Sequence, residues 1–367
     1  GPGSLLFAGC AMHADLAPES AGSALYGWLL AMLGQSHGWP VPKGGASALT
    51  GALVRRLESR GGRVLCGQRV EEVLVKDGTA MGVRTVAGEI FSAGKGVFAD
   101  VVAPLLFGGL VPWRHLPARF REDMSRFQWD YSTVKVDWAL SSRVPWSAEG
   151  AHGAGTVHLG ASMDELTEYC AQLAMGRVPS RPFVLVGQMT TADPSRSPEG
   201  TESLWGYTHV PREVRGDAGG GGITGVWAHS DLERFAERVE DQMERFAPGF
   251  RDRIVRRHIF GPGQLQEHNE NAVGGAINGG TSALHQQLVF RPVPGLGRPE
   301  TPVRRLYLAS SSAHPGGGVH GACGANAARS ALRKAAMGRW VLPGYLFAAS
   351  RALAPTQQDA MPAPGPR

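Results

Sequence analysis

The chain has 367 residues, enough to bury a sizeable core in two lobes, with a hydrophobic fraction of 43% and a charged fraction of 19% that are typical of a globular protein. Its 51 glycines fall in short motifs rather than in a repeat, which excludes a collagen-like or low-complexity chain. The formal charge is +5, but the arginines are scattered and often follow acids, as in Glu233-Arg234, so the sequence predicts no nucleic-acid partner.

Four cysteines, Cys10, Cys66, Cys170 and Cys323, are too widely spaced for a zinc site, and the histidines form no metal-spaced set. The sequence therefore predicts reduced thiols and no metal. We expect a cytoplasmic protein, since no signal peptide opens the sequence and no apolar run is long enough for a membrane span. Residues 1–4 are either a tag remnant or native loop.

The first forty residues are small and apolar, which predicts one or two buried helices with a helix start at 17–19. The glycines and prolines of 38–45 predict a loop. Apolar residues then recur at three and four positions over 46–60, which predicts an amphipathic helix ending at Gly61-Gly62.

Alternating residues and turn signals over 63–99 predict a series of strands. Asp77-Gly78 indicates a hairpin turn, and three of the strands form an antiparallel meander. The predicted strands are 63–66, 70–75, 80–86, 89–92 and 95–99. This order is typical of the end of a doubly wound α/β unit.

Residues 104–302 change in character and predict a separate lobe of mixed strands and helices. Ser230 and Glu233 form a capping-box pattern that opens a helix, with Leu232, Phe235, Val239, Met243 and Phe246 facing inward. The other predicted elements are strands at 129–140, 183–190 and 203–210, the last two paired, and a helix at 163–175. Asp137 and Trp138 could line a substrate cavity, but a solvated acid and a core aromatic are favoured.

The end of the chain carries the strongest signal. A strand at 305–311 leads into a glycine loop at 314–321 and then into a helix that continues to about Met337. Successive glycines let a ligand approach the backbone, and a helix start offers unpaired N–H groups. A phosphate or the edge of a flavin ring would suit this arrangement, and a tight turn with close helix packing is the alternative. For His314 and His320, a hydrogen bond to the backbone is favoured over an acid–base role.

Residues 306–321 closely resemble the C-terminal flavin motif of phytoene-desaturase-like FAD oxidoreductases. The segment 39–62, and the motifs Asn278-Gly279-Gly280 and Arg291-Pro292-Val293-Pro294, resemble that family in the same order. The resemblance implies FAD as cofactor, with a backbone contact from Val70 to the adenine. It implies that the isoalloxazine ring is approached by His314, Pro315, Gly316, Gly317, Gly318, Val319 and Gly321.

The implied fold class is α/β, with α+β in the second lobe. A partial FAD/NAD(P)-binding doubly wound domain with a three-stranded meander would be joined to a substrate domain of mixed sheet and helices. The implied domains are 1–38 (helical part of the substrate domain), 39–103 (partial FAD domain), 104–300 (substrate domain), 301–340 (end of the FAD domain) and 341–367 (an extension, disordered from about 355).

The implied activity is hydride transfer from a hydrophobic substrate to flavin N5, and no side chain is identified as catalytic. The sequence departs from the family in one respect, since no G-x-G-x-x-G turn with its strand and helix precedes Gly44. That departure predicts a truncated form and leaves open whether this chain binds FAD alone. A non-catalytic interaction module or partner subunit is the alternative. Peripheral membrane contact, a homo-oligomer and a complementing chain also stay open.

Overall fold

The computed structural model describes residues 2–336. Gly1 and residues 337–367 lie outside the described residues, and so do the predicted extension from 341 and the disorder predicted from about 355.

Within the described residues, helices and strands alternate irregularly along the chain. The α-helices are α1 (Pro2–Met12), α2 (Ser23–His37), α3 (Ala46–Glu58), α4 (Ala103–Leu105), α5 (Ala118–Ser125), α6 (Met163–Ala174), α7 (Met189–Ala192), α8 (His229–Phe246), α9 (Pro262–His268) and α10 (Ala322–Ala336). The strands are β1 (Val70–Lys76), β2 (Thr79–Thr85), β3 (Ile90–Ser92), β4 (Val97–Ala99), β5 (Ser132–Leu140), β6 (Thr156–Leu159), β7 (Arg177–Val178), β8 (Val184–Gln188), β9 (Glu202–Val210), β10 (Gly216–Asp217), β11 (Ile254–Phe260) and β12 (Leu306–Leu308).

The chain divides into two compact units, each built from two stretches of sequence. Unit 1 comprises Gly1–Cys66 and Tyr131–Ile277, and unit 2 comprises Gly67–Asp130 and Asn278–Arg367. The chain therefore crosses between units after residues 66, 130 and 277, whereas the sequence placed domain boundaries after 38, 103 and 300. The cofactor and substrate roles assigned to those domains stay predictions.

The core of unit 1 is a five-stranded antiparallel sheet in the order β11-β5-β9-β8-β6, covered by α8. Alternation in β5 places Val134, Val136 and Trp138 in the buried cluster that also holds Phe235 and Met243 of α8. The predicted pairing of the strands near 183–190 and 203–210 is confirmed, because β8 and β9 are antiparallel neighbours. The inward face predicted for α8 is confirmed for four of its residues, and Phe246 is half-buried against the same cluster.

The capping box predicted for α8 is wrong. The helix begins at His229 after Ala228, so Ser230 lies inside the first turn. The buried Asp231 carboxylate accepts hydrogen bonds from the backbone N–H groups of Thr224, Gly225 and Trp227. It therefore stabilises the loop that leads into the helix instead of supporting a capping serine.

The first 66 residues are less buried than their composition suggests. The second half of α1 is buried, but α2 begins at Ser23 rather than at 17–19 and buries only Ser23 and Gly27. The predicted helix over 46–60 is confirmed as α3, which buries no residue. The predicted strand at 63–66 is wrong, because these residues are exposed and pair with no strand in the described part of the chain.

Unit 2 contains the predicted three-stranded meander, with the antiparallel order β1-β2-β3. Asp77 and Gly78 both have positive φ, 49° and 69°, as a two-residue hairpin turn of this kind requires. Beside it, β4 and β12 form a parallel pair whose residues Leu306 and Leu308 are almost completely buried. The structure is thus of the mixed α/β class. The doubly wound arrangement stays a prediction.

Among residues 2–336, no helix combines the length and the apolar content needed to cross a bilayer.

Candidate functional site

The candidate site is the loop that joins β12 to α10, which we call the glycine loop (residues 313–321). It starts in the interior, where Ala313 and Gly316 are buried, and then emerges. Residues 317–321 are all exposed, and the side chain of Val319 is 93% exposed. The loop therefore presents a stretch of open backbone directly before a helix.

Two glycines of the loop leave little room for a side chain, because protein atoms lie directly beneath them. A Cβ at Gly316 would lie 3.3 Å from Cζ of Arg291, and its φ of 112° is strained for other residues. A Cβ at Gly317 would lie 3.1 Å from the backbone oxygen of Asn278. Gly324, in the first turn of α10, differs, since a Cβ there would meet no atom of residues 2–336 within 4 Å. One side of the loop thus rests on protein, and the helix start faces open space.

A buried arginine forms the base on which the loop rests. The side chain of Arg291 is completely buried. Its guanidinium group donates to the backbone carbonyl oxygens of Thr281 at 2.9 Å, Asn278 at 3.1 Å and Ser311 at 2.8 Å. The planar donors of an arginine can satisfy several carbonyls at once, so this side chain fixes two backbone segments together.

A buried aspartate holds the opposite side of the same short turn. Asp130 is also completely buried, and its carboxylate accepts the backbone N–H of Asn278 at 2.8 Å and of Gly280 at 2.9 Å. Ser312 adds a third bond, from its hydroxyl to the carbonyl oxygen of Gly279 at 2.8 Å. We call Asp130, Arg291, Ser312 and the turn 278–280 the platform. Charge-assisted bonds to backbone groups make it a rigid support for the glycine loop.

The start of α10 contributes hydrogen-bond donors and a positive partial charge beside the loop. His320 accepts the N–H of Ala322 on its Nδ1 at 3.0 Å, and the Cys323 thiol donates to the carbonyl oxygen of Gly316 at 3.4 Å. The N–H groups of Cys323 and Gly324 lie in the first turn, where a helix provides no internal acceptor. The positive end of the helix dipole therefore coincides with the exposed backbone of the loop.

Two buried polar atoms beside the loop have no hydrogen-bond partner within the described chain: Nδ1 of His314 and Nδ2 of Asn278. Burial, and then the nearby charge of Arg291, lower the pKa of His314, so its ring is neutral at pH 7. The side chains around the loop are thus neutral or engaged with backbone. This donor-rich and exposed stretch of backbone fits the edge of a nitrogen- and oxygen-rich ring such as a flavin.

The structure brings seven of the eight predicted site residues together in the glycine loop, from His314 to Gly321. Val70 lies elsewhere in the same unit. It is the first residue of β1 and is half-buried. Its predicted role at the adenine stays a prediction. The preferred interpretation of His320 is confirmed, because its ring bonds to backbone.

The favoured interpretation of Asp137 as a solvated acid and of Trp138 as a core aromatic is also confirmed. Asp137 is partly exposed and pairs with Lys135, and Trp138 is buried with its Nε1 donating to Glu240 at 3.0 Å. Among the described residues, no three histidine, cysteine, aspartate or glutamate side chains cluster closely enough to hold a metal ion.

Sequence reasoning missed the platform. Arg291 was recognised only as part of a motif. No role was predicted for Asp130, and the hydrogen bond from Ser312 to residue 279 was not predicted. One signal was present, since Arg291 is a lone charge between the apolar residues of 288–290 and the Pro-Val-Pro segment that follows. A charged residue in such a stretch is buried only when its donors are satisfied.

No family model matches the chain. The chain is 29% identical over 334 residues to the pyridine nucleotide-disulfide oxidoreductase domain-containing protein 2 of Mus musculus, covering 88% of this chain and 56% of that protein. It is 25% identical over 304 residues to a neurosporene-forming phytoene desaturase of Cereibacter sphaeroides, covering 81% of this chain and 54% of that protein.

Among solved structures, an oxidoreductase from Methanosarcina mazei aligns with a TM-score of 0.55 at 16% identity, covering 90% of this chain and 64% of that chain. A putrescine oxidase bound to putrescine aligns with a TM-score of 0.51 at 17% identity, covering 80% of this chain and 53% of that chain. These structural similarities show that the chain shares a fold with parts of these two proteins.

The resemblance to phytoene-desaturase-like proteins is therefore confirmed by the curated relatives. The chain spans about half the length of the curated relatives that it matches.

Proposed function

We propose that this chain carries the flavin-facing loop of an FAD-dependent oxidoreductase that dehydrogenates a hydrophobic substrate. The observation that carries the proposal is the exposed glycine backbone at 317–321, held by the buried platform directly before the start of α10. When bound, FAD would supply the hydride-accepting N5 atom.

In this proposal the main-chain N–H groups of the loop and of the first turn of α10 hold the edge of the ring. They stabilise negative charge there, because they are fixed in advance and lie at the positive end of a helix dipole. The platform keeps this backbone in place, since Arg291 and Asp130 form hydrogen bonds with backbone groups of the turn 278–280. The open space beyond Gly324 leaves room for the ring.

The substrate class follows from the relatives rather than from the site. Two of them are named as phytoene desaturases, neurosporene-forming and lycopene-forming, and this naming supports a dehydrogenation of a hydrophobic molecule. The parallel pair β4–β12 followed by α10 supports unit 2 as part of the FAD domain. The five-stranded sheet of unit 1 is then assigned to the substrate domain.

No G-x-G-x-x-G turn with its strand and helix precedes Gly44, so a further step in the proposal is that residues other than those of the glycine loop hold the pyrophosphate of FAD. The ring and the pyrophosphate then contribute to affinity separately. Riboflavin, which has the ring but no pyrophosphate, tests the loop alone.

The test is a titration of the purified chain with FAD and, separately, with riboflavin, followed by quenching of flavin fluorescence and by retention after gel filtration. We expect both flavins to bind. We expect Gly324→Ala to weaken both by about tenfold, because the added methyl group enters the open space at the first turn of α10.

Gly263→Ala is the matched control. Gly263 also lies in the first turn of an exposed helix, where a Cβ would meet no atom within 4 Å, but it belongs to unit 1. It should leave flavin binding unchanged. A chain that binds neither flavin contradicts the proposal and favours the non-catalytic interaction module. If Gly324→Ala and Gly263→Ala bound the flavins with equal affinity, the glycine loop would not be part of the flavin site.

A further inference from the structure

Two histidines meet where the end of α1 lies against the five-stranded sheet of unit 1. His13 directly follows α1, and His158 lies in β6, the edge strand of that sheet. Their Nε2 atoms are 2.7 Å apart, which is a hydrogen-bond distance. Both residues belong to unit 1, whereas the glycine loop belongs to unit 2. The contact therefore joins the first helix of the chain to the sheet without involving the proposed flavin site.

This contact can hold only one hydrogen atom, because two N–H groups cannot point at each other. A neutral pair carries two hydrogens on its four ring nitrogens. The second one can lie on Nδ1 of His13, which is 3.5 Å from the hydroxyl of Tyr207. A pair that takes up a proton carries three hydrogens, so both Nδ1 atoms must then bear one for as long as the contact is kept.

Nδ1 of His158 is poorly placed to carry that hydrogen. It is buried and has no hydrogen-bond partner among residues 2–336. It faces α1, since a Cβ at Gly9 would lie 2.6 Å from it. An N–H group there would be buried without an acceptor, and the added charge would be kept from water. The geometry therefore suits the neutral pair and disfavours the charged one.

The protonation of both rings is affected in the same direction. Burial lowers the pKa of His158 to about 4. Burial, followed by the charges of His158 and His209, lowers the pKa of His13 to about 3. A histidine released into water has a pKa of about 6.5. At pH 5 the pair is thus neutral in place, whereas the same two side chains would be charged if α1 left the sheet.

The other ionisable groups of the packed elements are engaged elsewhere or stay neutral in acid. The engaged groups are Asp15, which accepts the N–H of Tyr131, Lys135, which pairs with Asp137, and Glu165 and Glu168, which pair with Arg181. Burial raises the pKa values of Cys10, Tyr131, Tyr169, Cys170 and Tyr207. His209 of β9 differs, because its protonation adds a positive charge that acts against the protonation of His13.

We propose that the His13–His158 pair is a pH-sensitive switch, which keeps the end of α1 on the sheet while it is neutral and releases it when the pair takes up protons. Met12 of α1 packs in the same apolar cluster as Leu173 of α6 and Phe183, which precedes β8. Release would uncover that apolar surface. Helix α8 packs in a different cluster on the sheet, so it would stay in place.

The direction of the effect follows from proton uptake. The released form binds protons below about pH 6.5 and the closed form does not, so opening becomes more favourable as the pH falls below that value. The stability that the neutral pair gives to the closed form is present above about pH 6.5 and is lost below it. Between pH 7 and pH 5 the opening equilibrium should rise by on the order of 20-fold for each histidine, and by roughly 400-fold for the pair.

A thiol placed in the contact between α1 and the sheet measures the opening. Ala8 is buried in the apolar cluster, so Ala8→Cys, combined with Cys10→Ala, gives α1 a single thiol at that position. The chain is treated with a pyridyl disulfide, which reacts with thiols in acid as well as at neutral pH. The exposed Cys66 of the same molecule gives the reference rate. We expect the labelling rate at position 8, relative to that of Cys66, to rise by roughly 400-fold between pH 7 and pH 5.

The variants His13→Gln and His158→Gln test the pair in this background, because glutamine forms hydrogen bonds but does not titrate. Each substitution should remove on the order of 20-fold from the rise. His152→Gln is the matched control, since His152 is an exposed histidine of the same unit, and it should keep the full rise. Deuterium exchange of the α8 amides shows whether the rest of unit 1 stays folded, and we expect α8 to remain protected at pH 5.

Three results would overturn the proposal. They are a relative labelling rate that does not rise in acid, a rise that survives in the double histidine variant, and a loss of protection in α8 that accompanies the labelling, which would mean general unfolding. Thermal melting at pH 7 shows whether each variant is folded. Should the double variant fail to fold, the chain with both histidines still decides, because a labelling rate that is independent of pH contradicts the switch by itself.

Discussion

Two regions of the molecule are held together in opposite ways. The sheet and helix α8 of unit 1 bury apolar side chains against one another, with Phe235 and Met243 at 0% exposure. The platform of unit 2 is held by the buried charges of Asp130 and Arg291, whose hydrogen bonds go to backbone groups. Apolar packing fills space with little directional demand, whereas charge-assisted bonds fix the path of a loop. A loop that must keep exposed backbone in one shape needs the second kind of support.

The largest effect that would test this contrast is expected from Arg291→Met. Methionine fills a similar space but strands the carbonyl oxygens of Thr281, Asn278 and Ser311. Removing one partner of a buried charged network costs about 3–5 kcal/mol, so the free energy of unfolding should fall by about that amount. Urea denaturation measures it. The exposed Arg329→Met is the control, with an expected change within about 0.5 kcal/mol. A loss no greater than that of the control would show that the platform does not support the fold.

The same contrast explains how much could be predicted from the sequence. The strand β5 and the inward face of α8 follow from local periodicity, because an element that packs on one face repeats its apolar residues regularly. The platform joins residues 130, 278–280, 291 and 311–312 through bonds to backbone, and no periodicity records such bonds. The glycine loop was found from its composition, but what lies beneath Gly316 and Gly317 was not.

For the first 66 residues, the sequence predicted burial that the structure does not show, and the reason is a different one. Their apolar pattern correctly predicts helices α2 and α3, but not burial, since Trp28 is 54% exposed and Leu53 is 62% exposed. Whether an apolar face is covered depends on its neighbours and not on the helix itself. The residues of 63–66 illustrate the same limit, because a strand also needs a partner to pair with.

Met243→Ala tests the other side of the comparison. Met243 is fully buried in the cluster between α8 and the sheet, so the substitution removes apolar contacts and leaves a cavity, with no polar group stranded. We expect a loss of about 3 kcal/mol in the free energy of unfolding. Met81→Ala, at an exposed position in β2, should cost far less. Flavin binding should be unchanged in Met243→Ala and lost in Arg291→Met, and the reverse pattern would contradict the contrast.

A smaller effect is expected where unit 1 itself uses a carboxylate to hold a loop. Asp217 forms two bonds to Arg238, at 2.8 and 3.0 Å, and accepts the N–H of Gly219 and of Ile223. Burial raises the pKa of Asp217, but these hydrogen bonds outweigh it and hold the pKa below its usual value. The stability it contributes is therefore present above about pH 3.9, the value in unfolded chains, and is lost as the pH falls through the lower folded pKa.

Asp217→Asn should accordingly cost about 1–2 kcal/mol at pH 7 and make the unfolding free energy less dependent on pH below 4. Urea titrations at several pH values between 7 and 3 measure both quantities. Asp252→Asn, at an exposed position, is the control and should leave the pH dependence as in the original chain. An unchanged slope in Asp217→Asn would show that this carboxylate does not contribute to acid sensitivity.

The smallest effect is a gain in stability at the start of α10, directly after the glycine loop. Gly324 lies within α10, where a Cβ meets no atom within 4 Å, so alanine fits without strain. Alanine in a helix is more stable than glycine by about 0.5–1 kcal/mol, because glycine loses more conformational freedom on folding. Gly324→Ala should therefore raise the melting temperature while weakening flavin binding. Stability and binding then change in opposite directions, which no general damage to the fold produces. A variant that loses both would mean that Gly324 serves the packing of α10, and that the open space beside it is not the place where the ring binds.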